Sequence, residues 1–129
     1  MVMSIAIVYP IIGITFAVLP AASRGLLIAW RLAAWLLSVA AFAVHLGYEL
    51  IRLRNSPPRA AWHCSLAAAL GAFVLAVWVN VHGYWVAAGQ QSPLAPIALI
   101  VFPVITGVPA FLVSLFIGGI FVRMRRRIQ

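Results

Sequence analysis

The chain has 129 residues, of which 66% are hydrophobic and 8% are charged, and its mean hydropathy is +1.14. A soluble domain is about 45–50% apolar and about 25% charged, so this composition excludes a soluble globular domain and a disordered chain. The nine basic residues and the single acid, Glu49, give a formal net charge of +8. We predict an integral membrane protein whose positive charge contacts anionic lipid, with no nucleic-acid partner.

Four apolar segments have about the 20 residues that a helix needs to cross a bilayer. They predict an all-α polytopic protein with one domain over 1–129, in which four transmembrane helices form an up-down bundle. Glycine, serine, asparagine and proline mark the short joins, and the firmest break is at Pro57-Pro58. The predicted helices cover about 3–22, 28–51, 64–88 and 96–122.

The arginines predict the orientation of the bundle. Three lie around the second join and four in the C-terminal tail, against two near the first join and none at the third join, residues 89–93. Because cytoplasmic ends carry the excess of arginine, we predict that both termini are cytoplasmic in a multi-pass protein of the inner membrane. The absence of lysine and the high alanine and arginine content indicate a bacterial source. The tail residues predicted to contact anionic lipid or a partner are Arg123, Arg125, Arg126 and Arg127.

The second helix carries the polar side chains that most need an explanation in hydrocarbon. Ser38, His45 and Arg52 are spaced by seven residues, and Glu49 lies between the last two, so the four predict one polar stripe. One interpretation is structural: Glu49 pairs with Arg52 or Arg54 near the inner interface, and His45 bonds to a neighbouring helix. The other is a proton or cation relay in which Glu49 and His45 exchange protons.

The third helix carries small residues at four-residue steps, ending in an asparagine. This pattern allows a partner helix to approach closely, either within the bundle or from another subunit. As the chain has a single cysteine, it forms no intramolecular disulfide and no four-cysteine metal site. The predicted helix-packing stripe consists of Cys64, Ala68, Ala72, Ala76 and Asn80.

Reactive motifs are sparse. The sequence has no catalytic triad with a spare acid, no paired carboxylates, no glycine-rich phosphate loop and no zinc spacing, so we predict that the protein is not an enzyme and holds no metal. The histidines His45, His63 and His82 are predicted at different depths, which leaves no pair for haem within one chain. No cofactor is expected, unless two chains share a haem through one His45 each.

These observations leave three functional hypotheses. The first is a small accessory or structural subunit of a larger inner-membrane complex, bound to other subunits or to itself, because packing chemistry exceeds reactive chemistry. The second is a homo-oligomeric proton-coupled transporter or channel that uses the Glu49/His45 stripe. The third is an electron-transfer anchor with haem shared between chains.

Overall fold

A computed structural model describes residues 6–20, 22–86 and 95–128, and it confirms the all-α class, since these residues contain no strand. We number the helices α1 to α4, and α2 continues directly into a π-helical segment, Tyr48–Arg52. The three longer helices are long and apolar enough to cross a membrane, whereas α1 is a short apolar helix. The four helices are α1 (Val8–Val18), α2 (Arg24–Gly47), α3 (Pro57–Val86) and α4 (Ala95–Ile128).

Two helices begin earlier than the hydropathy pattern predicts. Ser23 caps α2, because its hydroxyl accepts a hydrogen bond from the Leu26 amide at 3.2 Å, and the helix therefore begins at Arg24 and not at residue 28. Helix α3 begins at Pro57 and not at residue 64. Proline is favoured in the first helical turn, where its missing N–H would have no partner.

The other predicted boundaries differ at the ends of the chain. The first helix ends at Val18 and not at the predicted residue 22, and residues 1–5 and 21 lie outside the described part. Helix α4 continues to Ile128, through the arginine tail, instead of stopping at residue 122. The third join, 89–93, and the predicted end of the third helix at 88 also lie outside the described residues.

Helices α3 and α4 pack as an antiparallel pair. Gly118 lies beside Pro57, Gly107 lies beside Ala69, and the Ser65 hydroxyl donates to the Gly107 carbonyl at 2.8 Å. These contacts bring the two backbones close together, as small residues do in membrane helices.

Helix α1 lies against α3 and runs in the same direction. Tyr9 is next to Gly71, and Gly13 is next to Leu75 one turn further along both helices. A Cβ added at Gly71 would lie 2.7 Å from Tyr9 Cβ, so glycine is what permits this approach. Helix α1 is therefore fixed to the middle of α3.

Helix α2 contacts the rest of the chain mainly at its two ends. Near its start, the rings of Trp30 and Phe16 are 5.9 Å apart. Of its most apolar 18-residue stretch none is buried, compared with 28% for α3, and Trp35 is 63% exposed. Large apolar surfaces of this kind are rare on soluble monomers and suit insertion into a membrane.

The C-terminal end of α2 meets α3 and α4 in a small apolar cluster. Leu46 and Leu50 pack with Ala60 and Cys64, and Phe42 and Phe121 cover the cluster. It lies at the end of the bundle that carries most of the arginines. The apolar contacts hold the end of α2 against α3, and these two helices supply three of the four residues of the polar site described next.

Candidate functional site: a buried carboxylate between two histidines

Glu49 is 1% exposed and is surrounded by polar groups from three segments. Its Oε2 accepts a hydrogen bond from Asn55 Nδ2 and lies 3.1 Å from His63 Nδ1. Its Oε1 lies 3.6 Å from Nε2 of His45, which is itself 2% exposed. The single acid of the chain is therefore shared between the end of α2, the following loop and the second turn of α3. We call His45, Glu49, Asn55 and His63 the carboxylate–histidine cluster.

The π-helical segment and the loop after it bring Asn55 back to Glu49. The Leu53 amide bonds to the Tyr48 carbonyl at 3.1 Å, five residues back, and the Asn55 amide bonds to the Glu49 carbonyl at 3.0 Å. Arg54 reverses the chain with a φ of 53°, in the left-handed region. Side chain and backbone of Asn55 thus both bind Glu49. Single-turn π segments of this kind are frequent at functional sites.

The left-handed backbone at Arg54 makes a testable prediction. A non-glycine residue there costs about 1–2 kcal/mol, so Arg54→Gly should leave the free energy of unfolding unchanged or raise it by about 0.5 kcal/mol, despite the added freedom of the unfolded chain. Arg52→Gly, within the π-helical segment, should lower it by about 1 kcal/mol. Unfolding of the two variants in detergent measures the difference, and equal losses in both would contradict a strained Arg54.

The structure corrects the expected partners of Glu49. In the described part of the chain, its ion-pair contacts within 4 Å are with His45 and His63, and neither Arg52 nor Arg54 takes part. Both arginines are exposed, where long basic side chains reach headgroups and water. In the π-helical segment the hydrogen bonds join residues five apart instead of four. This wider turn rotates Arg52 away from the face of α2 on which the seven-residue spacing from His45 would place it.

The predicted stripe of helix 2 is only partly brought together. His45 and Glu49 are neighbours, as their four-residue spacing predicts. The Ser38 hydroxyl instead donates to the Ala34 carbonyl at 2.8 Å within its own helix, and Arg52 is exposed. The cluster therefore includes the middle two residues of the stripe, His45 and Glu49, and two residues from outside it.

Sequence reasoning missed Asn55 and His63. The expectation that α3 begins at residue 64 left His63 on a loop, two turns away from the depth of His45. The signal that would have found it is the Ser56-Pro57 pair, since proline at the first helical position places His63 in the second turn of α3.

The other predicted sites lie away from the cluster or beside it. In the helix-packing stripe, Cys64, Ala68 and Ala76 are buried, and Ala72 and Asn80 are half-buried. In the tail, the side chains of Arg123, Arg125 and Arg127 are exposed, and only the backbone of Arg126 is described, as part of α4.

The cluster brings the one acidic side chain of the chain together with two imidazole rings. Among the described residues, no group of three or more histidine, cysteine or acidic side chains is arranged to hold a metal ion. Glu49 Oε2 and His63 Nδ1 are 3.1 Å apart, which is short enough for a proton to pass directly between the two side chains.

Comparison with models of protein families, with curated proteins and with solved structures finds no match to this chain. The class is therefore defined by the fold alone: a small all-helical protein with three candidate membrane-spanning helices and one short apolar helix.

Proposed function

We propose that the protein is a small proton-coupled membrane transporter or channel in which Glu49 binds and releases the proton. The observation that carries this proposal is the carboxylate–histidine cluster: a fully buried acid with histidines on both sides and, among the described side chains, no arginine paired to it. A pair of titratable groups in hydrogen-bond contact inside a membrane protein is characteristic of proton pathways. We further propose that α1 completes a four-helix bundle in an inner membrane, with both termini and the arginine-rich end in the cytoplasm.

The division of roles follows from exposure. The side chain of His63 is 31% exposed and touches Glu49, so it exchanges protons with water at the arginine-rich end. His45 is buried, and its Nε2 is beyond hydrogen-bond distance of Glu49 Oε1 at 3.6 Å. A small rotation of the Glu49 carboxyl group brings the two side chains into contact. His45 is therefore the proton acceptor on the side of Glu49 that faces the protein interior. Asn55 holds the carboxyl between the two histidines.

The experiment is proton flux in proteoliposomes with an internal pH dye under an imposed membrane potential. Glu49→Gln keeps the size of the side chain and a carbonyl for Asn55 but cannot exchange a proton, so the flux should fall by about a hundredfold, the lower end of what one proton-transfer group contributes. Arg52→Gln is the matched control because it removes a charge from the same segment, and it should retain the flux. Flux that is equal in both variants and the unmodified protein would reject the proposal.

Infrared spectroscopy tests proton binding without any assumption about transport. Glu49 is the only acidic side chain. A protonated carboxyl band that appears on acidification therefore belongs to Glu49 if it is absent from the Glu49→Gln variant, and to the C-terminus if it persists in the variant. We expect a band that is lost in the variant. Identical spectra would show that Glu49 does not take up a proton while the protein is folded.

A second candidate function is supported by α2. The middle of this helix is not covered by the described part of the chain, and this favours a docking role as an accessory subunit of a larger membrane complex or as one copy of a homo-oligomer. Native mass spectrometry after mild extraction separates the two. A fixed hetero-complex supports the accessory subunit, and a homo-oligomer supports the transporter or channel. A monomer alone would contradict both assemblies.

A further inference from the structure

We infer that a water-filled polar path runs inside the protein from the carboxylate–histidine cluster to Tyr9, as a half-channel that opens at the arginine-rich end. This inference rests on the proposed function for its purpose, but its evidence is separate. Four buried polar atoms beyond Glu49 have no hydrogen-bond partner in the described chain: both ring nitrogens of His45, the hydroxyl of Ser114 and the hydroxyl of Tyr9. A fifth, Trp30 Nε1, lies at the opposite end of α2.

These groups come from three helices, and two of them, Ser114 and Tyr9, lie near Cys64 of α3. Cys64 is fully buried and follows His63 directly in the sequence. Cys64 lies near the Ser114 side chain of α4, and it is within electrostatic range of Glu49 and of Tyr9. The order along the path is therefore His63, Glu49 with His45, then Cys64 with Ser114, and Tyr9 of α1.

The path has an open end and a closed end. At the open end, the His63 side chain is 31% exposed. At the closed end, Tyr9 packs on Gly71 and Gly13 packs on Leu75, so backbones and apolar side chains fill the space beyond it. Gly71 is seven residues after Cys64, or about 10 Å along α3. The path thus ends near the middle of α3.

Water is the ligand that fits these groups. A buried polar atom without a partner costs about 1–3 kcal/mol, and most such atoms in proteins are bound by a protein group or an ordered water. Internal waters typically make two to four hydrogen bonds. His45, Ser114 and Tyr9 supply buried donors and acceptors from three helices, and water can act as both donor and acceptor to them. A chain of waters along them conducts protons between Glu49 and mid-membrane.

The single cysteine reports on this path directly. In the unmodified protein in proteoliposomes, a small water-soluble methanethiosulfonate reagent should label Cys64, although its side chain is fully buried. The matched control is the double variant Cys64→Ala, Ala76→Cys, which places the only thiol at another buried position of α3, past the contact between Gly71 and Tyr9. This thiol should react at least about tenfold more slowly. Equal labelling at the two positions, whether fast or absent, would overturn the inference.

A second pair of variants tests the water itself. Ser114→Ala removes a water partner from the path and should slow Cys64 labelling several-fold. Ser65→Ala removes a hydroxyl that is bonded to the Gly107 carbonyl, away from the path, and should leave the rate unchanged. If Ser114→Ala labels as fast as the unmodified protein, Ser114 does not bind water there and the inference fails.

The labelling and flux experiments can fail independently of each other. Selective labelling of Cys64 together with unchanged flux in Glu49→Gln would keep the water path and reject proton transport. Loss of flux in Glu49→Gln with an unreactive Cys64 would keep proton transport and reject the path.

Discussion

Glu49→Ala should lower the free energy of unfolding by about 3–5 kcal/mol, the usual cost of removing one partner from a buried ionic cluster. The change leaves His45, His63 and the Asn55 side chain without the carboxylate that they share. It also removes the side-chain hydrogen bond by which Asn55 holds the loop between α2 and α3 to Glu49. Unfolding in mixed detergent micelles, followed by circular dichroism, measures the loss.

Two controls decide which partner matters. Arg52→Ala should change stability by no more than about 0.5 kcal/mol, as for other exposed surface changes, because no ion pair joins Arg52 to Glu49. In a double-mutant cycle, Glu49→Ala and His63→Ala should be coupled by about 1–3 kcal/mol, since their side chains are in contact. A loss in Arg52→Ala as large as that in Glu49→Ala would point to the Glu–Arg pair that the sequence suggested.

Gly71→Leu should separate α1 from α3. The new Cβ would lie 2.7 Å from Tyr9 Cβ and 3.2 Å from the Ala6 carbonyl oxygen, so α1 has to move before any further atom of leucine fits. Overpacking of this kind costs about 1–3 kcal/mol, and the lost contacts of α1 add to it. We expect a lower unfolding temperature and faster proteolysis within α1.

Gly83→Leu is the matched control on the same helix, because nothing lies within 4 Å of a Cβ at that position. Both variants gain the same helix propensity, about 0.8–1 kcal/mol, so their difference isolates the contact with α1. Gly83→Leu should be as stable as the unmodified protein or more stable. Similar melting of the two variants would show that α1 is not fixed at Gly71.

Hydropathy predicted the long helices well, because a span of about 20 apolar residues has few alternatives in a membrane. It predicted their ends poorly. The start of α3 depends on how Pro57 fits a first turn, and the start of α2 depends on the Ser23 cap, and both are local effects that an average over 20 residues hides. The first helix shows the opposite error at its C-terminal end, because it stops at Val18 although the apolar segment continues to residue 22.

Some contacts of the carboxylate–histidine cluster could likewise be predicted from the sequence, and others could not. His45 and Glu49 could be predicted as neighbours because a regular helix places residues four apart on one face. The contact of His63 with Glu49 could not, since fourteen residues, a π-helical segment and a left-handed Arg54 lie between them. Regular spacing also suggested Arg52 as a partner, and this failed where the helix stopped being regular.

The sequence by itself determined that the chain is helical and apolar, that Glu49 is its only acid and that polar groups are concentrated at one end of α2, because composition and helical period depend on no distant contact. Only the tertiary structure decided that two histidines and an asparagine surround this acid, and that Cys64 lies near it and also near Ser114 and Tyr9. Those contacts join separate helices, and their geometry is set by backbone packing at glycines such as Gly71 and Gly107, which the linear order of residues does not specify.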